Sequence, residues 1–353
     1  MQPIVIGHRG ASGHRPEHTR SAFDLAFGLG ADAVEPDLVA TRDGVLVIRH
    51  ENEISGTTDV ATRAEFSARR TEKHIDGTLV TGWFTEDFTW DELRTLRARE
   101  RLPALRQGNT TFDDQQPILR LRDLFDLVDD AAEHTDRVLG IVAEIKHSNY
   151  FASLDLPLPE LFAAEVSAAG WNTDRLTVES FEPSVLAQVR AQGVRGKRIF
   201  LLEDQGHPAD QLAEYGAGAL SYAAHLTAGG LSSLAAGRSA GGSRSSMGSS
   251  TATSDIGVDG ISVPKSLILK TDDAGDVIGA SALVEDAHAA GLEVYCWTLR
   301  PENKFLETTF QSGTRKADFG HWQSEFRLIF DSGVDGVFAD HPDLAVHVRD
   351  ERR

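Results

Sequence analysis

The chain has 353 residues, of which 41% are hydrophobic and 25% charged, and its net charge at pH 7 is −19. This composition is typical of a globular enzyme, and the length suits either two ordinary domains or one large α/β barrel. The negative charge argues against a nucleic-acid partner, because no basic stripe offsets the repulsion. A small phosphoester is still acceptable, since a bound metal ion and a few local cations can reverse the field inside a pocket.

The chain contains one cysteine, Cys296, so no intrachain disulfide can form. Its apolar neighbours predict a buried, unreactive thiol. No apolar run is long enough to span a membrane, and a core strand begins too early for a signal peptide to precede it. We therefore expect a cytoplasmic protein without stable membrane insertion, or an exported one if an upstream leader has been removed.

Apolar runs of strand length alternate with amphipathic segments along most of the chain. The predicted strands are Ile4–Gly7, Ala33–Val39, Val45–Arg49, Val138–Lys146, Leu176–Ser180, Arg198–Leu202, Gly260–Val263, Glu293–Thr298 and Gly336–Ala339. The predicted helices are Thr19–Gly28, Leu121–Ala132, Leu158–Ala169, Pro183–Ala191, Ser281–Ala290 and Ser324–Ser332. Such alternation favours a parallel sheet covered by helices, and about eight units fit a closed (β/α)₈ TIM barrel formed by residues 1–353 as one domain.

Two longer stretches interrupt the alternation. Residues 52–117 are polar, with helix-like pieces near Arg63–Thr71 and Thr89–Arg99, and predict a small inserted subdomain. Because it follows a strand end, we expect it over the barrel mouth, where it would shape substrate access. Residues 235–254 are rich in Ala, Gly and Ser and predict a flexible loop.

The ends of the first strands carry the residues with the clearest chemistry. His8 and Arg9 follow the first strand, Glu35 and Asp37 lie on the second, and His50 follows the third. Two acids two residues apart share one face of a strand, and they repel each other unless a proton or cation lies between them. Arginine suits a phosphate group and histidine suits proton transfer. The combination indicates metal-assisted phosphoester chemistry.

A third carboxylate, Glu144, ends a strongly apolar predicted strand. Three carboxylates around an open site that contains water match one Mg²⁺ or Ca²⁺ ion, and the shortage of cysteine argues against structural zinc. Lys146 lies two residues further on, shares the face of Glu144, and can contact the same phosphoryl group as a point charge.

Taken together, the motifs resemble those of the glycerophosphodiester phosphodiesterase family. The strongest part of the resemblance is His8-Arg9-Gly10-Ala11-Ser12, Pro16-Glu17-His18-Thr19, Glu35-Pro36-Asp37, Asp43-Gly44, His50 and Glu144-Ile145-Lys146. Thr57-Thr58-Asp59-Val60 with Asp87-Phe88-Thr89 resembles the long insertion of the bacterial periplasmic-type branch. Later pieces are Glu179-Ser180-Phe181, Trp297-Thr298 and Gly336 to Pro342, so the resemblance covers nearly the whole chain.

The resemblance implies a (β/α)₈ barrel with its site at the carboxyl ends of the strands. It implies that one divalent cation, Ca²⁺ or Mg²⁺, is bound by Glu35, Asp37 and Glu144. It further implies that His8 and His50 are the acid–base pair, for which we assign His8 as acid and His50 as base.

The same resemblance implies how the substrate is held. Arg9 and Lys146 would bind phosphate oxygens, and Glu17 would support Arg9 or His8. Phe181 and Trp297 match the aromatics at the glycerol end of the pocket, although plain core packing explains them nearly as well. Where the family has an aspartate after the second histidine, this chain has a glutamate, which leaves the role of that acid open.

The implied reaction is hydrolysis of a small-molecule glycerophosphodiester to sn-glycerol 3-phosphate and an alcohol, which belongs to glycerol and lipid metabolism. The attacking oxygen is either the glycerol hydroxyl or a water molecule. Two alternatives keep the chemistry and change the substrate: a lysophospholipase D, or a hydrolase of teichoic-acid-type glycerophosphate polymers. A non-catalytic phosphodiester-binding barrel is the least favoured interpretation, because every expected position is filled. The head group and the oligomeric state are not encoded in these patterns.

Overall fold

A computed structural model describes residues 2–236 and 257–352 of the chain. Its strands are β1 Ile4–His8, β2 Ala33–Glu35, β3 Asp37–Ala40, β4 Leu46–Ile48, β5 Thr71–Ile75, β6 Thr78–Gly82, β7 Gly140–Ile145, β8 Leu176–Ser180, β9 Lys197–Leu201, β10 Gly260–Pro264, β11 Leu269–Thr271, β12 Val277–Ala280, β13 Glu293–Leu299 and β14 Gly336–Ala339. Its helices are α1 Arg20–Gly28, α2 Trp90–Leu93, α3 Leu121–Thr135, α4 Ser148–Ala152, α5 Leu158–Ala168, α6 Pro183–Ala191, α7 Ala209–Tyr215, α8 Tyr222–His225, α9 Ala228–Ala236, α10 Lys265–Ile268, α11 Leu283–Ala289, α12 Trp322–Asp331 and α13 Pro342–Asp350.

The main sheet closes into an eight-stranded parallel barrel. The hydrogen-bonded order is β2, β1, β14, β13, β10, β9, β8, β7 and β3, and β2 also pairs with β7. Pro36, which has no N–H to donate, separates β2 from β3, and the two short strands together occupy one barrel position. All nine predicted strands are present, and the predicted TIM barrel is confirmed.

The helix ends follow the punctuation of the sequence. Thr19 caps α1, since its side-chain oxygen accepts a hydrogen bond from the Ala22 N–H at 3.2 Å. Gly193, Gly291 and Gly333 follow α6, α11 and α12 with φ values of 86°, 78° and 92°. This left-handed region suits glycine and turns the chain back towards the next strand.

Some short elements differ from the predictions. β4 belongs to the predicted strand Val45–Arg49, but it runs antiparallel to β3 and lies outside the parallel circle. The hairpin of β5 and β6 is not among the predicted strands, because both strands are mostly exposed and lack an apolar run. The Asp76-Gly77 turn between them is its sequence signal. The helix-like pieces are reduced to a 3₁₀ helix, Ala64–Arg69, and the single turn of α2.

Residues 52–117, which we call the inserted segment, lie between β4 and α3 and contain β5, β6 and α2. The predicted loop 235–254 falls outside the described residues from residue 237 onward. Cys296 is fully buried, and burial raises the pKa of its thiol. Within the described residues, no helix combines the length and apolarity needed to cross a membrane.

Candidate active site

The predicted site residues meet at the carboxyl ends of the barrel strands, around a cavity of about 490 Å³. Those that line it are His8, Arg9, Glu35, His50, Glu144, Lys146, Phe181 and Trp297. Asp37 is buried next to them, since it pairs with Glu144 in the parallel register of β3 and β7. Residues far apart in the sequence therefore converge because parallel strands place all their carboxyl ends at one barrel mouth.

The end of β1 is shaped by a tight turn. Arg9 has a φ of 59° and Gly10 a φ of 85°, both in the left-handed region. A Cβ atom at Gly10 would lie 2.6 Å from the backbone carbonyl carbon of Ala22, so the close approach of α1 requires glycine. In this turn the Arg9 N–H donates to Glu35 Oε2 at 2.8 Å. The hydrogen bond holds the end of β1, with His8 and Arg9, against the end of β2.

Three buried glutamates form an acidic cluster, Glu35, Glu144 and Glu179, whose candidate ligand oxygens all lie within 4.8 Å of one another. Glu35 Oε1 and Glu179 Oε2 are buried and have neither a hydrogen bond nor an ion pair among the described residues. Burial and then the neighbouring carboxylates raise the pKa of Glu35 and Glu179 well above the usual range, and burial raises that of Glu144 to about 8. Hard oxygen donors with unused lone pairs and unresolved repulsion fit a divalent cation.

Glu179 has no assigned role in the sequence-based prediction. The structure brings it into the acidic cluster because β7 and β8 are neighbours and Glu144 lies opposite Glu179 in their register. A glutamate inside the predicted strand Leu176–Ser180 is the signal that points to it, because a carboxylate on a strand that is buried along its whole length needs a partner.

Asp37, a metal ligand in the sequence-based prediction, already has cationic and hydrogen-bonding partners. Its Oδ2 accepts a hydrogen bond from His18 Nε2 at 2.8 Å and lies 3.3 Å from Arg9 Nε. Its Oδ1 lies 3.0 Å from Lys146 Nζ. Burial alone would raise the pKa of Asp37, but these positive neighbours outweigh it and hold the pKa well below the usual range. Asp37 therefore adjoins the acidic cluster as an ionised carboxylate.

His8 is held by a carboxylate across the barrel closure. Its Nδ1 lies 2.6 Å from Asp340 Oδ1. Burial would raise the pKa of Asp340, but Arg300 and Arg106 keep it well below the usual range. Because an ionised carboxylate only accepts, His8 Nδ1 must carry the proton, which leaves Nε2 with a free lone pair. Burial and the charge of Arg9 lower the pKa of His8 to about 4, so the ring is neutral.

His50 has the same arrangement with a different acid. Its Nδ1 lies 2.5 Å from Glu51 Oε1. Hydrogen bonds from His50 and Arg101 overcome the effect of burial and lower the pKa of Glu51. Burial and the charges of Arg9 and Lys146 lower the pKa of His50 to about 3. The glutamate that replaces the family's aspartate thus orients the second imidazole.

Two cations face the same cavity. Arg9 is 8% exposed and its Nη1 donates to Glu17 Oε2 at 2.9 Å, which agrees with the supporting role predicted for Glu17. Lys146 is also 8% exposed, and its Nζ lies 2.6 Å from Glu144 Oε1. Each keeps a positive charge next to the carboxylates, where an anionic phosphate would complete its coordination.

Two aromatic rings form an apolar wall of the cavity. Phe181 and Trp297 meet edge to face, with ring centroids 6.0 Å apart. The indole Nε1 of Trp297 is buried and has no hydrogen-bond partner in the described part of the chain. The wall therefore offers an apolar surface and one unused donor, which suits the carbon skeleton and a hydroxyl of a small polyol.

The mouth of this parallel barrel holds two imidazoles, two cations and clustered carboxylates, which are the groups that metal-assisted cleavage of a phosphate ester requires. The sequence profile of the glycerophosphoryl diester phosphodiesterase family matches residues 8–344. A glycerophosphodiester phosphodiesterase of Arabidopsis thaliana is 29% identical over 351 residues, which cover 96% of this chain and 84% of the relative. The chain belongs to the glycerophosphoryl diester phosphodiesterase family, which confirms the family resemblance and the enzyme class predicted from the sequence.

Solved structures show the same fold. A glycerophosphodiester phosphodiesterase from Agrobacterium tumefaciens superimposes with a TM-score of 0.55 at 18% identity, covering 98% of this chain and 99% of that one. A phosphodiesterase from Oleispira antarctica, solved in complex with the product sn-glycerol-3-phosphate, gives a TM-score of 0.57 at 18% identity, covering 99% and 97%. At these identities, the structural likeness concerns the barrel itself.

Proposed function

We propose that this chain hydrolyses small glycerophosphodiesters to sn-glycerol 3-phosphate and a free alcohol in a metal-dependent reaction catalysed by two histidines. The observation that supports this best is the convergence of His8, His50 and the acidic cluster on one cavity. The product bound to the Oleispira antarctica relative is consistent with the proposed product here.

We propose that the cation, Ca²⁺ or Mg²⁺, is held by Glu35, Asp37 and Glu144, with Glu179 as a further ligand. The unused buried oxygens of Glu35 and Glu179 support this set, as does the raised pKa of the clustered carboxyls. Both ions prefer carboxylate oxygens completed by water. When bound, such an ion supplies Lewis-acid neutralisation of charge on the phosphate.

The cations and histidines of the chain carry out the remaining work. Arg9 and Lys146 bind non-bridging phosphate oxygens and stabilise the charge that grows on them. His50 accepts the proton of the attacking oxygen at Nε2, and His8 donates a proton from Nε2 to the leaving alkoxide. The negative charge of the bound phosphate favours the protonated form of His8, which opposes the effect of burial and of Arg9.

The test is a chelation and readdition assay on glycerophosphocholine, with released glycerol 3-phosphate as the readout. We expect activity to vanish with chelator and to return with Ca²⁺ or Mg²⁺. Parallel assays on a lysophospholipid and on a glycerophosphate polymer separate the three substrate classes. Full activity in excess chelator would contradict the metal requirement, and faster release from lipid or polymer would replace the proposed substrate.

A further inference from the structure

Two arginines of the inserted segment extend into the barrel mouth. Arg101 donates from Nη1 to Glu51 Oε1 at 2.9 Å, and from Nε and Nη2 to the carboxylate of Glu17 at 2.7 Å. Arg106 donates from Nη2 to Asp340 Oδ2 at 2.6 Å and from Nε to Glu302 Oε1 at 2.8 Å. These contacts are distant in sequence: 50 residues separate Arg101 from Glu51, and 234 residues separate Arg106 from Asp340.

Glu51 and Asp340 are the carboxylates that orient the two catalytic imidazoles. Glu51 Oε1 lies 2.5 Å from His50 Nδ1, and Asp340 Oδ1 lies 2.6 Å from His8 Nδ1. Each histidine is thus the end of a three-residue chain that begins in the inserted segment. We call these chains the arginine–carboxylate–histidine relays.

The arginines of the relays act on the carboxylates through their charge and through the direction of their hydrogen bonds. A carboxylate can set the imidazole tautomer only while it is ionised, and burial without a counter-charge favours the protonated acid. The side chains of Asp340 and Arg106 are 2% and 6% exposed, so water gives little compensation there. Arg300 Nε also donates to Asp340 Oδ2 at 2.7 Å and helps to keep that carboxylate ionised, so the specific contribution of Arg106 is the direction in which the carboxylate points. The planar guanidinium also fixes the direction of the carboxylate, which an isolated charge does not do.

The inserted segment has further contacts with the barrel besides these arginines. The Tyr150 hydroxyl donates to Glu86 Oε1 at 2.6 Å, and the Trp90 N–H donates to Asp43 Oδ1 at 2.9 Å. These contacts fasten the segment to the barrel at points away from both histidines. If Arg101 and Arg106 only held the segment in place, nothing would explain why both of them bind the acids that orient the histidines.

We propose that Arg101 and Arg106 are positioning residues for the two histidines, so that the inserted segment completes the catalytic site as well as covering it. This inference rests on the proposed function, because it assigns the proton transfers to His8 and His50. It predicts that loss of either arginine changes the orientation of one imidazole and the rate of the chemical step, with little change in substrate binding.

The experiment compares Arg101→Ala and Arg106→Lys with Tyr150→Phe, which removes a fastening contact of the inserted segment that reaches neither histidine. Steady-state kinetics on glycerophosphocholine give kcat and KM, and NMR of the full chain detects the far-downfield Nδ1 proton of each hydrogen-bonded histidine. We expect kcat to fall about tenfold or more in both arginine variants. KM should change less than about twofold in Arg106→Lys, whereas Arg101→Ala also releases Glu17, the partner of Arg9, and is judged by kcat and by the NMR signal. We also expect the His50 signal to be lost in the first variant and the His8 signal in the second, while Tyr150→Phe keeps both.

The NMR readout does not require turnover. Wild-type protein that shows both signals but cleaves no glycerophosphodiester would refute the proposed function and leave the relays testable by their signals. Arginine variants that retain both signals and kcat within about twofold of wild type would overturn the inference. Arg101→Ala keeps the test decisive if Arg106→Lys is unstable, because the Arg101 side chain is 26% exposed.

Discussion

His8 Nδ1 lies 2.6 Å from Asp340 Oδ1, although 332 residues separate the two along the chain. The contact exists because β1 and β14 are hydrogen-bonded neighbours where the barrel closes, with Gly7 in register with Ala339. The strand pairing that closes the barrel therefore also brings Asp340 to the His8 ring and orients it.

Replacing Asp340 by asparagine should reduce kcat about a hundredfold, with KM little changed. The neutral amide cannot stabilise a protonated His8 as the ionised carboxylate does, so fewer His8 rings would carry the Nε2 proton that the leaving alkoxide needs. Steady-state kinetics with a thermal melt test this. Asp343→Asn is the matched control, since Asp343 holds His14 at 2.9 Å outside the cavity. A loss below about tenfold in a folded Asp340→Asn protein would contradict the assignment.

Removing either of the imidazoles that we propose to be catalytic should lower kcat at least as much as replacing Asp340. We expect His8→Ala and His50→Ala to lower kcat by about a hundredfold or more, because positioned acid–base groups typically contribute that much. His147→Ala is the control, since His147 Nδ1 pairs with Asp76 Oδ2 at 2.5 Å and does not line the cavity. Equal activity of the His147 and His8 variants would refute the proposed roles.

The sequence predicts the barrel well because its strands are buried on both faces. Val5, Val34 and Val337 are completely buried, and such continuous apolar runs between amphipathic helices admit few other folds. Motifs at strand ends likewise locate the site, because every parallel strand ends at the same mouth. Neither inference requires knowledge of which strands are neighbours.

What the sequence does not predict depends on neighbours that only the folded chain brings together. Asp340 reaches His8 through barrel closure, and Glu179 joins Glu144 through the register of β7 and β8. Arg106 donates to Asp340 although 234 residues separate them along the chain. Periodicity and propensity contain no information about such long-range contacts.

Replacing Glu179 by glutamine should weaken binding of Ca²⁺ or Mg²⁺ by roughly tenfold or more, because the proposed ligand set loses one charged oxygen donor. Isothermal titration calorimetry on the metal-free protein measures this directly. Glu203→Gln is the matched control, since Glu203 lines the same cavity but lies outside the acidic cluster. Equal affinities of the two variants would exclude Glu179 from the ligand set.

Metal affinity should rise with pH. Burial is the main cause that raises the pKa of Glu144 to about 8, and the pKa values of Glu35 and Glu179 are raised too, so protons compete with the cation below that pH.

The same shift affects the stability of the metal-free protein. Because the pKa of Glu144 is higher in the folded state than its unfolded value of 4.5, the free energy of unfolding falls as pH rises from 4.5 through about 8. A bound cation removes that repulsion. The melting temperature with Ca²⁺ should therefore exceed that with chelator by more at about pH 9 than at about pH 6. In Glu144→Gln, the increase in melting temperature caused by Ca²⁺ should depend less on pH. An equal increase at both pH values in the wild-type protein would show that these carboxyls do not bind the ion.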